Sequence, residues 1–195
     1  QEASTELPAR IDLSRIKNCA MEGIFSFDMD SLIDRPDTLS RQEVEILGKF
    51  AINEMDSWRL SYSKWEGYYC YEWEENEQHF LFTMVHRDEI CCLNLLLVLC
   101  DLEGQVLAIS ELGTIGGDGG EFFNSRGKVQ GFGAYSLSHR YTFDQDTIST
   151  ADQYVGYNRE EILNEIRLKI EGDQLVLDTI VTLKRDTLIQ PDKDL

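Results

Sequence analysis

Basic residues are scarce in this sequence. Lys and Arg number 18 against 36 Asp and Glu, a formal charge of −18 over 195 residues. A surface of that sign repels phosphate backbones and anionic membranes, and Arg167, Lys169 and the Lys184-Arg185 pair form no basic patch, so nucleic acid is excluded as a partner. Long apolar runs are also missing. The longest, Ile90 to Cys100, is shorter than the roughly 20 residues a membrane helix needs and is broken by Asn94, so no transmembrane segment is expected. There are 3 histidines. His79 and His86 lie an odd number of residues apart, so one extended strand would turn them to opposite faces and prevent joint chelation. No Cys-x-x-Cys spacing occurs, which removes zinc ribbons and thioredoxin-like redox sites. There is no Gly-x-Ser-x-Gly elbow, and no Gly-Lys-Ser/Thr follows the glycine-rich loop, so neither a serine hydrolase turn nor a phosphate cradle is present. No catalytic residue and no cofactor is assigned.

The residues that are present describe a single folded domain over 1–195. An apolar fraction of 42% and a length of 195 residues allow a sizeable core without staples. The expected class is mainly β, with α+β character at the margin: an antiparallel meander sheet, sandwich or half-barrel with one short helix near 41–52. Residues 1–24 are poorly patterned, and Ile11, Leu13 and Ile16 suggest a short strand or turn. Ser40-Arg41-Gln42-Glu43 is a capping box, and Val44, Leu47, Gly48 and Ala51 continue it as one helical stripe.

From Ser57 the period changes to two. Trp58, Leu60 and Tyr62 alternate with polar residues, and Tyr68 to Trp73 reads as a second strand. His79 to Val85 and Ile90 to Cys100 are apolar on both faces and are expected at the sheet's centre. Asp101-Leu102-Glu103-Gly104 turns the chain into Gln105 to Ser110, with Gly104 in the left-handed region. Val129 to Phe143 alternates throughout and reads as one long strand, bent at Gly131 and Gly133. Asn158-Arg159-Glu160-Glu161 could cap a helix, but Ile166, Leu168 and Ile170 favour a strand. That strand turns at Gly172 into Leu175, Leu177, Thr179, Val181 and Leu183. Residues 188–195 read as a frayed tail.

The five cysteines, Cys19, Cys70, Cys91, Cys92 and Cys100, are expected as buried thiols. Cys70 bonded to Cys92 or Cys100 is the alternative in an oxidising compartment. Parity sets Cys91 opposite Cys92 and Cys100, amid leucines, an arrangement that suits hydrophobic burial better than reactivity.

Two groups of residues are candidate sites. The first is aromatic: Trp58, Tyr62, Trp65, Tyr69, Tyr71 and Trp73 crowd one short region, with Trp58 and Tyr62 on one face and Tyr69, Tyr71 and Trp73 sharing another. Exposed rings flanked by acids suit a protein or glycan partner; the alternative is that the same rings fill the core under the helix. The second is the loop Gly116-Gly117-Asp118-Gly119-Gly120-Glu121, where Asp118 and Glu121 could hold a cation or where the glycines simply make a tight turn.

The meander, the Leu102-Glu103-Gly104-Gln105-Val106 turn running to Gly116-Gly117-Asp118-Gly119-Gly120, and the closing Gly172 hairpin together resemble small secreted or lipid-anchored β-rich proteins of gut Bacteroidetes with no assigned function. The resemblance spans residues 57–189 and transfers no functional residue. It implies a non-catalytic extracytoplasmic binding or structural domain, periplasmic or at the cell surface. The alternative is a hydrolytic or metal-dependent enzyme using acids near Asp118 with His139.

Overall fold

The computed structural model describes residues 10–23, 26–31, 39–54, 68–87, 92–117, 121–145, 149–150, 153–154 and 157–189. The described chain begins with helix α1 (Leu13–Cys19), strands β1 (Met21–Glu22) and β2 (Phe27–Asp28), a 3-10 turn at Met29–Ser31, and helix α2 (Arg41–Glu54). A meander follows: β3 (Tyr68–Glu75), β4 (His79–Arg87), β5 (Cys92–Asp101), β6 (Val106–Gly116), β7 (Glu121–Gly131) and β8 (Ala134–Gln145). The small hairpin of β9 (Ser149–Thr150) and β10 (Gln153–Tyr154) precedes the long hairpin of β11 (Tyr157–Glu171) and β12 (Gln174–Ile189). One open sheet of ten strands runs in the order β1-β3-β4-β5-β6-β7-β8-β11-β12, with β2 added beside β7. It is antiparallel except where β1 meets β3, so the mainly β, antiparallel expectation holds. No helix among the described residues is long and apolar enough to cross a membrane.

Alternation along β4 and β5 builds a core on each side of the sheet. Phe80, Phe82 and Met84 with Leu96, Val98 and Cys100 face the helices and bury Ile16, Val44 and Leu47 against them. Leu81, Val85, Leu95, Leu97 and Leu99 face the other way and meet Tyr135, Leu137 and Leu168, so the sheet curls until its two halves share an inner core. Each fully buried leucine or phenylalanine contributes about 1.5–3 kcal/mol relative to an exposed one, which is why the doubly apolar strands occupy the middle.

Local chemistry sets the element ends. In α2, Glu43 Oε2 accepts from the Ser40 amide at 2.6 Å while Ser40 Oγ accepts from the Glu43 amide at 3.3 Å, the expected capping box. Glu43 is buried and also paired with Arg15 of α1, which locks the two helices together. Gly104 has φ +86°, and a Cβ there would stand 2.1 Å from the Ile11 carbonyl oxygen. The Ile11 amide donates to the Gly104 oxygen at 2.8 Å, so the turn before β6 anchors the N-terminal segment.

Several expectations are corrected. Ile11, Leu13 and Ile16 belong to neither strand nor turn alone: Asp12 Oδ1 accepts from the Ser14 and Arg15 amides and caps α1, which buries Ile16. The stretch Val129 to Phe143 is two strands, because the chain reverses at Gly131-Phe132-Gly133 and residues of both arms fall on one face as hairpin partners. The strand favoured over a helix cap at 158–161 does hold, lying between β8 and β12. The tail expectation shortens, since Leu188 and Ile189 still pair with Asn158 and Tyr157. Cys92 is disulfide-bonded rather than a thiol, and its partner lies outside the described residues; Cys70 and Cys100 are buried thiols.

β6 and β7 part after a single matched pair, Gly116 with Phe123, and β2 fills the opening by pairing Phe27 with Gly127. A Cβ on Gly127 would stand 2.0 Å from the Phe27 ring, so the glycine is what lets that ring lie flat against β7.

Candidate functional site

Of the aromatic candidates, Tyr69, Tyr71 and Trp73 lie in β3, toward one end of the sheet. Trp58, Tyr62 and Trp65 lie outside the described residues. Tyr69 is in β3, opposite Val85 of β4. Tyr71 and Trp73 do not share a face as parity suggested. The β3–β4 register slips between Cys70 and Glu72, and the extra residue turns Tyr71 to the inner core and Trp73 to the helix-covered core. Both rings are half-buried.

Trp73 stacks on Phe80 with centroids 5.6 Å apart and planes 10° from parallel. Above this stack α1 places Lys17, its Nζ 4.9 Å from the Trp73 centroid and 5.6 Å from that of Phe80. The same Nζ donates to Glu75 Oε2 at 2.7 Å. A cation, a π face and a carboxylate thus converge at the surface, and the Gly23 amide holds the strand from behind by donating to the Trp73 oxygen at 2.7 Å.

The inner side of β3 is acidic. Glu72 is buried, and its amide donates to Thr83 Oγ1 at 3.1 Å. Partial burial raises the Glu74 carboxyl above the usual glutamate range. Tyr135 of β8 is buried nearby with no hydrogen-bond partner for its hydroxyl. Burial first, then the charges of Glu72 and Glu74, push that phenol far up, so it stays a neutral O–H.

At the other candidate, Asp118 lies outside the described residues, while Glu121 is exposed at the start of β7. The Tyr141 hydroxyl is raised by burial and then by the charge and hydrogen bond of Glu121. His139 Nε2 is 3.0 Å from the Leu112 carbonyl oxygen. Its cross-strand neighbour is Ser125, four residues along β7 from Glu121, which is about 13 Å of strand, so Glu121 and His139 do not act on one atom. Among the described residues no group of three or more His, Cys, Asp or Glu side chains could hold a metal ion. The Cys100 thiol is pushed up by burial, then by Asp101, and is chemically quiet.

Asn94, the polar break in the central apolar run, belongs to a buried network that composition did not show. Thr114 Oγ1 lies 2.8 Å from Asn94 Oδ1 and 2.6 Å from Glu111 Oε1. One hydroxyl proton cannot serve two acceptors; with the Asn94 amide turned, its NH₂ donates to Thr114 and the hydroxyl donates to Glu111. An open groove of about 360 Å³ between β11 and β12 is lined by Asn158, Arg159, Glu160, Asp186, Thr187 and Leu188. Its arginine is already held by Asp144 at 2.7 and 2.8 Å.

Lys17 and the buried Glu72 were not legible as site residues. Alternation in 68–73 hinted at Trp73, but nothing local in the sequence marks the lysine that α1 brings from 56 positions earlier. The chain matches no protein-family model, no curated protein and no solved structure.

Proposed function

We propose that the chain is a non-catalytic binding domain, working outside the cytoplasm, that engages a basic segment of a partner protein at the β3 end of its sheet. The observation that carries this reading is the arrangement at Trp73. Lys17 shows which chemistry the surface accepts: an ammonium over the Trp73–Phe80 stack and against Glu75. The exposed Glu75 carboxylate and the overall −18 charge favour cationic partners and speed their encounter. The disulfide at Cys92 supports an oxidising compartment.

The test is a titration of the full chain with lysine-rich peptides and, separately, with neutral oligosaccharides. Tryptophan fluorescence and the amide resonances of Tyr68–Glu75 are followed. Peptide-dependent shifts at Trp73 that weaken with added salt are expected. Shifts with oligosaccharides alone would make the partner a glycan, and no response at β3 to either would overturn the site.

A further inference from the structure

We propose that two copies of this chain join edge to edge through β12, antiparallel about a twofold axis at Thr182. This surface lies apart from the β3 end and does not depend on the function proposed there.

β12 is the terminal strand of the sheet, and among the described residues no strand pairs with its outer side. Leu177, Ile180, Val181, Leu183 and Leu188 are 42–51% exposed along it. A long edge of this kind templates pairing with another strand unless something covers it. Charge selects the occupant. The whole chain is at −18, and two copies repel over most of their surfaces. β12 is the exception: Asp178 and Asp186 balance Lys184 and Arg185, so the strand is neutral.

Side-chain complementarity selects the register. Opposite β11, Val181 pairs with Glu165 and Thr179 with Ile166, so Ile180 is skipped. The skip leaves Asp178, Val181, Leu183 and Arg185 on one face, opposite Arg167, Glu165, Leu163 and Glu161. β11 keeps its facing across Ile180 with no skip of its own, and a second copy can do the same, each copy's Ile180 falling opposite Leu183 and Lys184 of the other. With Thr182 opposite Thr182 of the second copy, Val181 meets Leu183, Asp178 meets Arg185, and Leu175 meets Leu188, each pair occurring twice and each on a common face. Asp178 and Arg185 have no ion-pair partner within the chain among the described residues, so both are open to this contact. Lys184 is instead held by Glu160 at 2.7 Å.

The experiment is sedimentation equilibrium of the full chain across a concentration series, with circular dichroism confirming the fold of each variant. The unchanged chain is expected to form a dimer. Asp178→Arg and Arg185→Asp each set like charges face to face and should weaken it about tenfold, while the double variant D178R/R185D should restore it. Thr182→Cys should give a covalent dimer under mild oxidation, and Asp178→Cys should not. A chain that stays monomeric at all concentrations overturns the proposal. A dimer indifferent to both charge swaps overturns it equally, since its contact would lie elsewhere.

Discussion

β3 closes one end of the sheet with Tyr71, Trp73 and a run of glutamates, under α1 and β1; β12 closes the other with Leu177, Ile180, Val181 and Leu183, exposed and electrically neutral. The difference lies in how each end deals with its exposed chemistry. At β3 the aromatic ring is half-buried by a stack and capped by a lysine, so what remains at the surface is polar and suited to reversible contact. At β12 the apolar side chains have no such cover among the described residues, and charged side chains are what limit pairing there.

Truncation at both ends tests this contrast most strongly. Phe80→Ala removes a fully buried ring beneath Trp73 and is expected to cost about 3–5 kcal/mol. Ile180→Ala, at a residue 50% exposed, should stay within about 0.5 kcal/mol in dilute solution. Urea denaturation of both variants measures this, and equal costs would show that β12 is covered within one chain. Trp73→Ala keeps Phe80 but loses the stack and the half-buried surface, for an expected cost of about 2 kcal/mol. Lys17→Ala should cost less than about 1 kcal/mol, because both its contacts face solvent, and the cost should shrink further at high salt.

The smallest effect concerns Glu74. Burial raises its carboxyl in the folded chain, so the folded state holds the proton to higher pH than the unfolded state does. This group therefore favours folding most below the ordinary glutamate range, and that contribution is lost as pH rises through the range. Glu74→Gln should slightly stabilise the chain at pH 7 and leave it unchanged near pH 3, read from denaturation midpoints at the two values. A stabilisation that persists at acid pH would show that charge burial is not its cause.

Much of the fold was legible because it rests on short-range rules. The capping box at Ser40, the left-handed Gly104, the Gly172 hairpin and the doubly apolar centre strands all follow from neighbours a few residues apart. The errors have a common physical origin in parity. Alternation shows that residues share a face only while the strand continues, and it cannot distinguish a long strand at 129–143 from a hairpin whose arms match. It also fails across the bulge after Cys70, which separated Tyr71 from Trp73.

By itself, then, the sequence determined the antiparallel class, the central placement of His79–Val85 and of the Ile90–Cys100 run, and the net charge of −18. These depend on composition and on the two-residue period, both local properties of the chain. Tertiary structure alone decided that Lys17 reaches Trp73 and Glu75, that Glu72 is buried, and that β12 is an edge. Each of those is a relation between residues far apart in sequence, set by which strand ends beside which, and no local period encodes it.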